Sequence, residues 1–139
     1  MASAAGAESH RAIACDGAPA AIGPYSQAVV ANGFVFVSGC IGLVAGDETK
    51  TLAATAEDQA EQSLKNMAAV LEAAGSSLSK VVKTTVLLRD MAAYKGVNAV
   101  YEAAFTAAGA TVMPARAAYA VAGLPADALV EIEAVAVVA

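Results

Sequence analysis

Two stretches of the chain constrain its fold most, because apolar residues stand at consecutive positions in residues 81–88 and 132–138. Side chains of a strand alternate between two faces, so strands of this kind need cover on both sides of their sheet. The rest of the sequence supplies only two helices, which can cover one face. The pattern therefore predicts an α+β fold, a mixed β-sheet with two helices on one face, whose other face is buried by self-association into an obligate oligomer.

Short local patterns indicate the individual elements. Asn32-Gly33 between two apolar runs predicts a β-hairpin. Thr55, followed by acidic residues, predicts the start of a helix that Gly75 ends, and Asp90 predicts the start of a second one. The last two strands are expected to form a hairpin. The predicted strands are 11–15, 28–31, 34–38, 81–88, 116–121 and 129–138, and the predicted helices are 56–74 and 92–108.

Composition agrees with a single self-associating domain. The 139 residues suit one domain at 11–139, preceded by a flexible tail at 1–10. With 58% hydrophobic residues and a mean hydropathy of +0.60, a chain of this size either enters a membrane or buries surface against copies of itself. The uncharged stretch 17–46 is long enough to span a membrane, but Gly23-Pro24 and Asn32-Gly33 interrupt it. We therefore expect no membrane partner.

Several functional classes are disfavoured. A net charge of −5 without a basic cluster argues against nucleic acid as a partner. Cys15 and Cys40 lack metal-site spacing, and the only histidine, His10, lies in the expected tail, so neither a metal site nor a Ser–His triad is expected. The first 14 residues lack the apolar core of a secretory signal, which favours a cytoplasmic protein, with an organelle presequence as the alternative.

Arg116 is the main candidate for a functional residue, since it is the only positive charge after Lys95 and stands among small and apolar residues. A guanidinium cannot lose its charge and needs a carboxylate or a bound anion when it is buried. Glu131 and Glu133 are expected a short hairpin away. Two interpretations stay open: a structural Arg–Glu pair, or an arginine that binds a substrate carboxylate beside a glutamate that polarises water.

Three more polar residues lie in apolar surroundings. Tyr25, on a proline-containing loop, can cover a pocket or anchor the loop on a neighbour. For Ser38, a strand-end hydroxyl that bonds the backbone is favoured over direct ligand contact. For Asn98, on one helix face with Tyr94 and Tyr101, a core amide that bonds a neighbouring loop is favoured.

Five segments, in this order and spacing, resemble the RidA (YjgF-type) family. They are residues 18–27, Val37-Ser38-Gly39, Asn98 with Tyr101 and Phe105, Pro114-Ala115-Arg116, and 124–133. The resemblance implies a chorismate-mutase-like fold assembled as a homotrimer, with the sheets packed inward and three clefts between subunits. It also implies hydrolysis of reactive 2-imino and enamine acids, such as 2-iminopropanoate and 2-iminobutanoate, to 2-oxo acids and ammonia without a cofactor.

Carried over by position, the resemblance makes Arg116 the carboxylate-binding residue and Glu131 the residue that orients or activates water. The residues that would line or support the cleft are Tyr25, Ser38, Gly39, Asn98 and Ala118. Two departures concern the cleft: Ala118 stands where the family often has Cys, and Cys40-Ile41-Gly42 stands where Gln-Ile-Pro is common. Because the role implied at Ala118 is a backbone contact, activity is expected to survive.

Three rival functions remain. The first is a non-catalytic regulatory module that binds small carboxylates in the same cleft. The second is a ribonuclease or translation inhibitor, a label that the family has also carried, against which the acidic charge argues. The third is a protein-binding, chaperone-like role, for which the apolar composition is suggestive but is better explained by the trimer.

Overall fold

The computed structural model describes residues 9–138, in which six strands form one sheet covered by two helices. The mixed α+β architecture expected from the sequence is confirmed. Strands run in the order β1-β2-β3-β6-β4-β5, and of the described pairs β4 with β5 is parallel and the others are antiparallel. The elements are β1 His10–Ile13, β2 Ala28–Ala31, β3 Phe34–Cys40, α1 Ala56–Ala73, β4 Val81–Leu88, α2 Tyr94–Ala107, β5 Ala115–Ala120 and β6 Val130–Val137.

The expected flexible tail at 1–10 falls mostly on residues 1–8, which lie outside the described residues. His10 is already the first residue of β1. No helix within residues 9–138 combines the length and the apolar character that crossing a bilayer would take.

Local signals explain where most elements begin and end. Asn32 and Gly33 both have positive φ, 50° and 81°, as the tight turn between β2 and β3 needs. The Thr55 hydroxyl accepts a hydrogen bond from the Asp58 amide at 3.1 Å and caps α1. Asp90 caps a short 3-10 turn, Met91–Ala93, so that α2 begins at Tyr94, two residues later than expected.

The two faces of the sheet have different surroundings. Along β6, buried Val130, Ile132, Ala134 and Ala136 alternate with more exposed residues, and α1 packs against the buried face of β3 and β6. The opposite face is left without cover in the single chain. Its exposed large apolar side chains are Phe34, Phe36, Tyr119 and Val137. This uncovered face is the feature on which the expectation of self-association depends.

The hairpin expected between the last two strands is wrong, because β4 lies between them. β4 pairs with β5 on one side and with β6 on the other. The α2 crossover returns the chain parallel to β4 at the sheet edge, and the following loop then passes the end of β4. There the Val121 amide donates to the Leu88 carbonyl at 2.9 Å and the Arg89 amide to the Leu129 carbonyl at 3.0 Å.

If the uncovered face is an interface between copies of the chain, Phe36→Asp should lower the molar mass measured by light scattering after gel filtration. A carboxylate there would have to be desolvated against apolar side chains. Val44→Asp is the control, since Val44 is as exposed as Phe36, 50% against 47%, but lies in a loop. An unchanged mass in Phe36→Asp, with a wild-type circular dichroism spectrum, would contradict the prediction.

Candidate functional site

Arg116 lies on β5 and extends towards α2 on the helix-covered side of the sheet. Its Nη1 donates to Asn98 Oδ1 at 2.8 Å, and its Nη2 donates to the Tyr94 hydroxyl at 3.1 Å. Its Cζ is 5.5 Å from the centroid of the Tyr94 ring and 5.1 Å from that of Tyr101, within cation–π range of both. We call Arg116 and its two hydrogen-bond partners, Asn98 and Tyr94, the arginine cluster.

The helical repeat of α2 explains why this cluster forms. Tyr94, Asn98 and Tyr101 are spaced i, i+4 and i+7, so they share the face that α2 turns towards the sheet. A 2.6 Å hydrogen bond between the Tyr101 and Thr84 hydroxyls fastens this face to β4, and burial raises the pKa of Tyr101. Asn98, expected to bond a neighbouring loop, instead accepts from Arg116.

The structural pair of Arg116 with Glu131 or Glu133, one of the two interpretations left open, does not form within the chain. Arg116 is in register with Thr84, which is in register with Ala134 on β6. Glu131 stands three residues further along β6 and, between buried Val130 and Ile132, projects from the opposite face. Two strand spacings and three residue rises place the two backbones about 14 Å apart. The intervening β4 is the physical reason for the error.

Glu131 belongs instead to a second group of residues, around a cleft of about 230 Å³ beside the end of β3. We call it the glutamate cleft. Apart from Glu131 it brings together three residues that the resemblance had singled out, Tyr25, Ser38 and Gly39. The remaining wall is mostly apolar and includes Ala18, Pro19, Ala20, Ile22, Cys40, Ile41, Leu43, Val70 and Pro125.

Close contacts determine where the Glu131 carboxylate lies. A Cβ atom added to Gly39 would overlap Glu131 Oε1, so the carboxylate lies directly over a backbone without a side chain. The Ser38 hydroxyl donates to the Ser26 carbonyl at 2.6 Å, the strand-end role favoured for it. Tyr25 is about half exposed, and its hydroxyl accepts from the Ile22 amide at 3.3 Å. Its ring is therefore held over its own loop beside the cleft.

Two structural residues of the site were missed from the sequence. Gln27, on the strand side of the Tyr25 loop, accepts from the Cys15 amide at 2.6 Å and donates to the Pro19 carbonyl at 2.7 Å. Asn66 on α1 donates to the carbonyls of Ile41 and Leu43 at 3.0 and 2.7 Å. Both are buried amides, and a buried amide must find partners. The sequence feature that could have identified both residues is an amide side chain within an otherwise apolar segment.

Burial and negative charge raise the pKa of two groups in the glutamate cleft. Burial, and secondarily the negative charge of Glu133, raise the pKa of Glu131. Burial, with the nearby Glu131 charge, raises the pKa of Cys40 to about 12, so its thiol is neutral near pH 7. Within residues 9–138, no three His, Cys, Asp or Glu side chains are grouped so that they could hold a metal ion.

The family model described as Endoribonuclease L-PSP matches residues 15–138, nearly the whole chain. Relatives over the same span carry the names Reactive Intermediate Deaminase A and 2-iminobutanoate/2-iminopropanoate deaminase. The chain belongs to the RidA (YjgF-type) family. The resemblance seen in the sequence motifs is thereby confirmed.

Among RidA-family relatives, the Homo sapiens 2-iminobutanoate/2-iminopropanoate deaminase is 46% identical over 91% of this chain and 89% of its own length. The Arabidopsis thaliana Reactive Intermediate Deaminase A, chloroplastic, is 48% identical over 89% of this chain but only 64% of that protein. In the crystal structure of the Escherichia coli YjgF gene product, a RidA-family neighbour 45% identical, the fold matches with a TM-score of 0.86 over 91% of this chain and 98% of that one.

A further RidA-family structure, E. coli TdcF with bound serine, is 39% identical and gives a TM-score of 0.87 over 93% of this chain and 99% of that one. Both crystal structures therefore share the six-stranded sheet and two helices described above.

Gly39→Ala should displace the Glu131 carboxylate while leaving the fold intact, because the clash involves the end of a flexible side chain. We expect loss of any activity that depends on Glu131, with a melting temperature close to that of the wild type. Gly123→Ala is the matched control, since a Cβ there meets nothing within 4 Å. Full activity in Gly39→Ala would show that the position of Glu131 is not critical.

Proposed function

We propose that this RidA-family chain hydrolyses 2-imino acids, such as 2-iminobutanoate and 2-iminopropanoate, to 2-oxo acids and ammonia in a cleft between subunits of a homotrimer. The observation that carries the proposal is the separation of Arg116 from Glu131, which project from opposite faces of one sheet and stand on strands with β4 between them. A substrate of a few carbon atoms cannot touch both within one chain. Each half is therefore completed by the other half from a neighbouring subunit.

Two further observations support this assembly. The uncovered sheet face carries exposed Phe34, Phe36 and Val137, so packing it against copies of the chain removes apolar surface from water. Glu131 projects from that face. A subunit packed there brings its own surface to the glutamate cleft, and a ring of such heterologous contacts closes after three copies.

In this proposal Arg116 binds the substrate carboxylate. Of its five N–H donors, one is given to Asn98 and one to Tyr94, which leaves three. Two adjacent donors suffice for a bidentate contact with a carboxylate. Ala118 follows two residues later on the same edge strand, β5, and presents backbone rather than a reactive side chain to the substrate.

Glu131 of the neighbouring subunit handles water. As a carboxylate it accepts a proton from a water molecule while the oxygen bonds to the carbon of the protonated imine, which gives a neutral 2-amino-2-hydroxy acid. Glu131 then returns that proton to the nitrogen, the C–N bond breaks as the C=O bond forms, and the departing ammonia takes up the hydroxyl proton, so that the products are the 2-oxo acid and ammonium. Since an imine carbon is already electrophilic, positioning the reactants supplies most of the rate enhancement. Gly39 leaves room for the carboxylate, and Tyr25 covers the cleft.

One rival function has an observation in its favour. The matching family model is described as an endoribonuclease, but this chain has a net charge of −5, with 8 basic against 13 acidic residues. Binding to RNA depends on neutralising phosphates, which this composition does not favour. An RNA-cleavage assay at low salt tests it, and salt-sensitive cleavage by the purified chain would revive it.

The cytoplasmic location expected from the sequence stays a prediction. The Arabidopsis relative is named as chloroplastic, which makes an organelle the alternative for this chain. Fractionation of the source cells with an antibody against the protein separates the two, because organellar enrichment would contradict a cytoplasmic location.

The deaminase proposal predicts that the wild-type protein accelerates formation of 2-oxobutanoate when a threonine dehydratase supplies 2-iminobutanoate. Arg116→Ala should lower kcat/KM on the order of 100-fold or more, and Arg116→Lys should also be poor, because an ammonium lacks the planar fork. Arg11→Ala, on the opposite edge strand, is the control and should stay active. Glu131→Gln should lose turnover but keep affinity for 2-oxobutanoate.

No acceleration by a correctly folded wild-type protein that still binds 2-oxobutanoate would favour a non-catalytic carboxylate-binding module. Equal activity of the wild type and Arg116→Ala would mean that Arg116 is structural.

The pH dependence gives a separate prediction for Glu131. As the base it must be ionised, so activity should fall as pH drops through its raised pKa. Glu133→Gln removes one cause of that rise and should therefore shift the acidic limb of the kcat/KM profile to lower pH. Glu72→Gln, an exposed change on α1, should leave the limb in place. A limb that moves to higher pH in Glu133→Gln would show that Glu131 is not the titrating base.

A further inference from the structure

Tyr94 makes a contact with the guanidinium that differs from every other contact in the arginine cluster. It is the first residue of α2, placed there by the capped turn Met91–Ala93. Its ring lies over the guanidinium, and its hydroxyl also accepts a hydrogen bond from Nη2 at 3.1 Å. Tyr94 therefore contacts the same guanidinium both through its ring and through its hydroxyl.

The orientation of the guanidinium depends on this second contact. Asn98 accepts from Nη1 alone, and one hydrogen bond leaves the guanidinium plane free to turn about that bond. A second acceptor at Nη2 removes this freedom. A bidentate contact with a carboxylate requires the two donors and the two oxygens to lie close to one plane, so the direction of the plane determines how well the fork fits.

We propose that the hydroxyl of Tyr94 is a positioning group that fixes the plane of the Arg116 guanidinium for the substrate carboxylate. The inference rests on the proposed function, in which Arg116 binds that carboxylate. Tyr94 acts through Arg116, because its hydroxyl accepts a hydrogen bond from Nη2 and does not contact the substrate. Removal of the Tyr94 hydroxyl weakens substrate binding more than it slows the chemical step, because a guanidinium whose plane can rotate forms a poorer bidentate contact with the carboxylate.

Tyr101 provides a matched internal control. Its ring is also within cation–π range of Arg116, at 5.1 Å, but its hydroxyl bonds Thr84 on β4. Tyr94→Phe and Tyr101→Phe therefore both keep a ring on the guanidinium and both remove one hydroxyl. Only Tyr94→Phe removes an acceptor from Arg116.

The test uses full-length wild type, Tyr94→Phe, Tyr101→Phe and Arg116→Ala. Deamination of 2-iminobutanoate gives KM and kcat, and calorimetric titration with 2-oxobutanoate gives a Kd that does not depend on turnover. Tyr94→Phe should raise KM and Kd together by about 3- to 10-fold, with kcat changed less than about twofold. Tyr101→Phe should lower the melting temperature, because it leaves a buried Thr84 hydroxyl without its partner, and should keep wild-type Kd.

Two outcomes overturn the inference alone. One is wild-type KM and Kd in Tyr94→Phe while Arg116→Ala has lost affinity. The other is an equal rise of Kd in both Phe variants, which would assign the effect to helix packing instead of the hydroxyl. Wild-type Kd in Arg116→Ala would instead refute the carboxylate site of the proposed function, and the inference about Tyr94 with it.

Discussion

Strand β4 separates the two candidate halves of the site, and most of what the chain can do depends on that. Because β4 pairs with β5 on one side and β6 on the other, Arg116 and Glu131 stand on strands that do not touch. Arg116 faces α2, whereas Glu131 projects from the uncovered face. One chain therefore carries an arginine cluster and a glutamate cleft whose charged groups cannot contact the same small molecule. In the proposed function, a site containing both residues is built from more than one copy.

The electrostatics of the two halves are complementary. The partners of Arg116 are an amide oxygen, a phenol oxygen and two aromatic rings, which orient the guanidinium without neutralising its charge. Glu131 lies over the Gly39 backbone, and burial, followed by the negative charge of Glu133, raises its pKa. A part-buried charge without a counterion is costly. In the proposed function the substrate carboxylate supplies an anion to Arg116, and a glutamate of raised pKa suits a base that has to accept and return a proton.

Local patterns predicted the elements of the fold well because their causes are local. Asn32-Gly33 needs positive φ at both positions, Thr55 caps the helix that follows it, and the i, i+4, i+7 spacing places Asn98 and Tyr101 on one face wherever α2 packs. The partners of Arg116 could not be predicted in this way. They depend on long-range strand pairing, in which β6 lies between β3 and β4, and the loop before β6 does not determine that pairing. Proximity in sequence therefore wrongly suggested a hairpin between β5 and β6 and, with it, an ion pair with Glu131. Gln27 and the Tyr94 hydroxyl were missed because their partners belong to other segments.

The most direct test of the central claim is complementation between two inactive variants. Arg116→Ala and Glu131→Gln are purified, checked for residual deaminase activity, then unfolded together in equal amounts and refolded so that their subunits mix. If each site takes Arg116 from one subunit and Glu131 from its neighbour, random mixing in a cyclic trimer restores both residues at about a quarter of the clefts, and activity should rise to about that share of the wild type. If the mixture stays as inactive as the separately refolded variants, while refolded wild type recovers its activity, the site does not lie between subunits and the account is wrong.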